Sequence, residues 1–323
     1  MSSAIDPEQL YRVLRTPDVV DPVLLVHFDG WVDAGRGART AIRHISNVTG
    51  AEKLAEFNTE FLLDYRAHRP TLHIVNGINA DIDWPVIELA AGRDSDDRDV
   101  LILSGSEPDH NWRSFVEAVV GLGKRFGVRR LVSLGAYPAA VPHTRSTRLT
   151  ITSPTPELVR ANHAGATLEV PAGMAAAIEA AFTAAGIASL SLWAQVPHYI
   201  AAAPYPAAAL SLIEGLDDAA GISIDSGDLS EHALAIRNQL DALIAEDDDH
   251  SQTIAQLERH HDEFDSGGIS AEGTLAISEE LGAQFERFLR DHNGAAPEDG
   301  AAPERGAAPD HGGEGDINEG DPE

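Results

Sequence analysis

The sequence predicts an α/β protein: a three-layer α/β/α sandwich, then a smaller C-terminal helical domain and a disordered acidic tail. Three observations predict it. Short apolar runs alternate with stretches of helical periodicity through roughly the first 225 of 323 residues, the order that builds a sheet covered by helices on both faces. Several runs are apolar at almost every position, as strands buried on two sides are. Beyond residue 227 the runs stop, and apolar residues recur only at helical spacing.

In chain order, strands are expected at residues 23–28, 53–57, 71–76, 100–104, 130–134, 149–152 and 190–195. Helices are expected at 34–48, 112–126, 172–185 and 207–220. Pro156, Pro171 and Pro206 stand where helices should begin, because a first-turn proline lacks only an N–H that had no partner. Gly50, Gly127, Gly186 and Gly221 follow helices, where a left-handed residue ends the last turn.

Residues 1–227 are therefore read as the core domain and 228–292 as a helical hairpin. Asp228-Leu-Ser-Glu231 has capping-box spacing. Leu229, Ala233, Ile236, Leu240 and Leu243 form one stripe, which resumes at Ile254, Leu257, His261 and Phe264 after an acidic run. Ser266-Gly-Gly268 breaks it, and Ile277, Leu281, Phe285 and Phe288 mark a second helix. Residues 293–323 hold Gly, Ala, Pro, Asp and Glu with little to bury, and disorder is expected there.

The net charge is −29, of which residues 291–323 carry −9. Only Lys53 and Lys124 are lysines. That balance argues against nucleic-acid backbone binding, which needs clustered cations. There is no cysteine, so disulfides, thiolate metal sites and cysteine nucleophiles are excluded. No apolar run reaches membrane-spanning length, and residues 1–7 lack the basic-then-apolar pattern of a signal peptide. A cytoplasmic location is expected.

Candidate chemistry collects at the carboxyl ends of the expected strands. Phe28-Asp-Gly-Trp-Val-Asp-Ala-Gly35 leaves the first strand, and Asp33 is placed to cap the helix that follows. Gly35-Arg-Gly37 lies inside the helical pattern, which denies it the strand-to-helix turn of a dinucleotide fingerprint. Ser104-Gly-Ser-Glu-Pro-Asp109 ends another strand. Pro108 reads there as a first helical residue, with Glu107 and Asp109 at a positive helix end. Alternatively Glu107 faces a pocket at the sheet edge, where open α/β folds bind ligands. His143, Arg145 and His198 follow later strands. With Asp33 and Glu107 they form a candidate ligand pocket suited to a polar ligand or acid–base chemistry.

Tyr65, Arg66 and Arg69 lie in Phe61-Leu-Leu-Asp-Tyr-Arg-Ala-His-Arg-Pro70. They are a candidate interface, because Tyr and Arg are enriched in interfaces; a solvated loop is the other reading. None of the fourteen histidines forms a His-Glu-x-x-His pair, and His260 and His261, adjacent on a helix, face different directions. No metal, cofactor or catalytic residue is assigned.

Taken in order, the segments containing Phe28–Gly35, Phe61–Pro70, Ser106–Trp112, Leu134–Pro138, Val141–Arg145 and Ser191–Tyr199 resemble the PAC2 (proteasome assembly chaperone 2) family, in particular its actinobacterial branch. The resemblance runs from about residue 20 to about 265. It implies a fold similar to purine nucleoside phosphorylases, a chaperone-like or adaptor role on protein partners, and a homo-oligomer, preferably a trimer. Relatives assist 20S proteasome assembly, many through a C-terminal hydrophobic–tyrosine–any-residue tripeptide. This chain ends Asp321-Pro322-Glu323, so that docking route is not expected. The alternative is a nucleoside- or phosphate-type ligand protein, or an enzyme, using the carboxyl-edge pocket. An ATP-dependent ligase fits poorly with two lysines.

Overall fold

The computed structural model describes residues 5–159, 169–245 and 248–265. The chain opens with β1 (Tyr11–Val13), β2 (Val23–Asp29), α1 (Gly37–Val48), β3 (Glu52–Phe57) and a single turn, α2 (Thr59–Leu62). Next come β4 (Thr71–Val75), β5 (Ile78–Asp83), β6 (Ile87–Arg93), β7 (Asp99–Ser106) and α3 (Trp112–Arg125). The core closes with β8 (Arg130–Ala139), β9 (Leu149–Thr152), α4 (Met174–Ala184), β10 (Ala188–Pro197) and α5 (Pro206–Ala220). Two more helices follow, α6 (Leu229–Ala245) and α7 (Asp248–Asp265).

Eight strands form one sheet in the order β1-β3-β6-β7-β2-β8-β10-β9. The central four, β7, β2, β8 and β10, are parallel, and β1, β3, β6 and β9 extend them antiparallel. Side chains alternate across the sheet. Val23 and Leu25 meet Ile42 of α1 and Leu212 of α5 on one face. Leu24 and Val26 meet Phe115 of α3 and Ile178 of α4 on the other. The result is the expected three-layer sandwich, with α6 leaning on the first face through Ile236 and Leu240. Among the described residues no helix is long and apolar enough to cross a membrane.

Several expectations change. Residues 71–76 do not join the main sheet: β4 pairs with β5 alone. Asn76 (φ 51°) and Gly77 (φ 81°) make the turn between them, and both positive φ values suit a tight hairpin. Strands β1, β5 and β6 were not anticipated. Pro108 starts no helix; α3 begins at Trp112 after Asn111, itself left-handed at φ 57°. Glu107 and Asp109 therefore lie in the loop before α3, outside its first turn. Pro171 stands outside α4, which starts after Gly173. The stripe expected across 229–264 is carried by two helices, α6 and α7. The expected helix at 277–288 and the tail at 293–323 lie outside the described residues.

Candidate functional site

The four parallel strands end on one edge, and two polar groups form there. The first begins inside β2. His27 is buried and its Nδ1 lies 3.3 Å from the carbonyl of Leu134. Its Nε2 points to two carboxylates, 3.6 Å from Asp29 and 3.8 Å from Asp33, and has no hydrogen-bond partner. Burial pushes the Asp29 carboxyl up, but His27 and Arg39 beside it outweigh burial and hold its pKa below the ordinary value. Burial dominates at Asp33 and raises its pKa, against the pull of His27 and two backbone amides.

Those amides show what Asp33 does. Its carboxylate accepts from Ala38 N–H at 2.8 Å and Arg39 N–H at 3.0 Å, in the first turn of α1, where amides have no helical partner. Gly35 (φ 63°) and Arg36 (φ 52°) turn the chain between cap and helix. A side chain at Gly37 would place its Cβ 2.8 Å from that of Ala208. The Gly-Arg-Gly segment thus serves close packing of α1 on α5.

Glu107 lies next to this group, its N–H donating to the Asp29 carbonyl at 2.8 Å. Its Oε1 accepts from Met174 N–H at 2.6 Å, so it supports the start of α4, a helix 67 residues further on. Burial raises its pKa, and this bond opposes the rise. Asp109 accepts from Asp64 N–H at 2.7 Å and lies 3.3 Å from His68.

The second group is built on the loop after β8. His143 is buried. Its N–H donates to the Tyr199 hydroxyl at 2.8 Å, and its Nδ1 lies 2.7 Å from the same oxygen. The hydroxyl proton therefore goes to Nδ1, which leaves Nε2–H to donate to Asp241 of α6 at 3.1 Å. Burial lowers the His143 pKa, against the pull of Asp241, which fits this neutral tautomer. Arg145 donates to both carboxylate oxygens of Asp262 at 2.8 Å and to Glu258 at 3.1 Å. Thr144 donates to Glu258 at 2.5 Å, and Arg148 to the His261 carbonyl at 2.6 Å. Exposed His198 meets the ring of Tyr199, at 5.4 Å between centroids.

The five candidates thus share one edge but fall into two groups. Asp33 and Glu107 follow β2 and β7, with Asp33 bridging to Ala136 of β8; His143, Arg145 and His198 follow β8 and β10. Among the described residues no hydrogen bond or ion pair joins one of the five to another, and no group of three or more His, Asp or Glu is placed to hold a metal ion. His27, Asp29, Asp241, Glu258 and Asp262 were not anticipated. His27 sits in an apolar strand, and the acids of α6 and α7 look like a solvated helix face.

Of the interface candidates, Tyr65 packs edge-on against Trp84 at 5.1 Å and meets Thr59 at 2.9 Å through its hydroxyl. The Arg66 and Arg69 side chains are exposed. Among the described residues neither forms an ion pair.

A mixed sheet, parallel at its centre, between two helical layers, with polar groups at its edge bonded to the starts of α1 and α4 and to α6 and α7, defines the α/β class of the protein. The PAC2 family model matches residues 27–244, and the chain belongs to the PAC2 family. A protein of unknown function from Mycobacterium tuberculosis is 31% identical, with a TM-score of 0.77 over 88% of this chain and 96% of its own. A PAC2 family protein from Streptomyces avermitilis is 33% identical, with a TM-score of 0.65 over 72% and 100%. A proteasome-assembly chaperone homologue from M. tuberculosis is 30% identical, with a TM-score of 0.66 over 72% and 99%. No curated protein matches the chain.

Proposed function

We propose that this protein is a cytoplasmic, non-enzymatic, chaperone-like adaptor that binds protein partners and works as a homo-oligomer, preferably a trimer. The family carries the reading: the match covers residues 27–244, most of the sandwich and of α6, and one similar structure is that of a proteasome-assembly chaperone homologue. The edge chemistry agrees with it. Asp33 and Glu107 accept from helix amides, and His143 and Arg145 hold helices α6 and α7. Groups committed to such bonds are less free to bond a substrate. The test is native mass spectrometry of the full chain mixed with purified 20S proteasome α and β subunits. A complex with either subunit is expected, and its absence at micromolar concentration overturns proteasome subunits as the partners.

A second reading, a small-molecule site, draws on the orphaned Nε2 of His27 between Asp29 and Asp33. The carboxylates around it oppose a phosphate-bearing ligand. Thermal-shift screening of nucleosides, nucleotides and phosphate separates the readings. A stabilising ligand lost in both His27→Gln and Asp29→Asn, with the fold retained, would favour this second one.

A further inference from the structure

The ribbon β4–β5 stands apart from the body. Every residue of both strands is exposed, although an isolated two-stranded hairpin is marginal in water. Its sequence is not that of a solvated ribbon. Ile74 is 61% exposed, Val75 56% and Ile78 70%, and Leu72, Ile82 and Trp84 are exposed too. Ile74 and Val75 are neighbours on a strand and point to opposite faces, so both faces of the ribbon are apolar and wet. Clustered exposure of this kind marks an interaction surface, whereas scattered apolar residues do not.

Charge identifies the occupant. The ribbon carries two exposed acids, Asp81 and Asp83, the latter 2.6 Å from His73. At its foot, joined to it by the Tyr65–Trp84 ring contact, runs the loop with exposed Arg66 and Arg69. Among the described residues these arginines have no ion-pair partner. One continuous surface thus offers an apolar ribbon with two aspartates and a loop with two arginines. Two copies satisfy both halves if the ribbon of one meets the arginine loop of the next, and repetition round a closed ring uses both halves of every copy.

We infer that the β4–β5 hairpin and the Tyr65–Arg69 loop form the contact surface between copies of this chain. The inference rests on the self-association in the proposed function and assigns it a place. It is independent of which other proteins the oligomer binds.

Sedimentation velocity of the full chain at micromolar concentration provides the test. The wild type should sediment above the 34.4 kDa monomer. Ile74→Glu with Ile78→Glu should shift it to monomer with an unchanged circular dichroism spectrum, since neither side chain is in the core. Arg66→Glu with Arg69→Glu should weaken association at least tenfold in Kd. Adding Asp81→Arg and Asp83→Arg to that variant should restore most of the loss, because reversing both partners re-forms the pairs. Hydrogen exchange of the hairpin amides should slow as protein concentration rises. A monomeric wild type overturns both the surface and the self-association. An oligomer that survives the Ile74 and Ile78 changes overturns the surface alone. Hairpin protection independent of concentration would assign the ribbon to a segment of the same chain, such as residues 277–288, and overturn the inference.

Discussion

Glu179 is an acid inside the molecule. It projects from α4 toward the sheet, is buried, and accepts from Ser133 at 2.6 Å and from Ser191. Burial raises its pKa above the ordinary 4.5, and the two serines only partly offset the rise. A raised acid pKa means that the folded state holds the proton more tightly than the unfolded one. Its stabilising contribution is full below pH 4.5 and is lost as pH climbs through the raised value. Glu179→Gln keeps the shape and removes the titration. We expect the variant to melt above the wild type at pH 8, with the gap narrowing toward pH 4.5. Each unit of upward shift corresponds to about 1.4 kcal/mol. A gap that stays constant with pH, or a variant less stable at pH 8, would refute this. Legibility at this scale depended on sequence distance. Asp33 could be read as a cap because the helix it serves starts a few residues later. Glu107 could not be placed, because Met174 is 67 residues away, and a buried glutamate on an alanine-rich helix gives no signal at all.

At the scale of elements, the buried parallel strands were legible because almost every residue in them is apolar, as in β2. Strand β6 was missed because Ala90, Ala91 and Gly92 dilute its pattern, and β1 because it has three residues. The hairpin was half seen: residues 71–76 have strand character, but nothing local tells an apolar strand in the core from one in solvent. The link between loop 142–148 and α7 is a tertiary fact of the same kind. Arg145 is its anchor, reaching Asp262 and Glu258 while one third exposed. Removing it should loosen α7 without touching the sheet, because such pairs act on the element they fasten. In Arg145→Ala, hydrogen exchange should accelerate across α7 while β2 and β8 keep their protection. Acceleration in the sheet as well would mean that α7 belongs to the global cooperative unit. Unchanged α7 amides would mean that Arg148 and Thr144 suffice.

For the whole molecule, charge is the dominant variable. A net −29 on 323 residues places many carboxylates within reach of one another, and a compact chain suffers more from that repulsion than an expanded one. Salt shortens the reach: the Debye length falls from about 30 Å at 0.01 M to about 8 Å at 0.15 M. Opposing this, salt also weakens attractive surface pairs such as Arg12–Glu56 and Lys53–Glu88, but exposed pairs each contribute only about 0–1 kcal/mol. Repulsion among the excess acids should therefore win. The melting temperature is expected to rise as sodium chloride goes from about 0.01 M to about 0.15 M, the range over which screening changes most. Choline chloride should do the same, because screening depends on ionic strength and not on a bound cation. The same screening should favour association of copies, each of which carries the full negative charge. A melting temperature that falls with both salts would show that attractive pairs control stability. A rise with sodium but not with choline would show that sodium acts by more than screening and would refute the screening account.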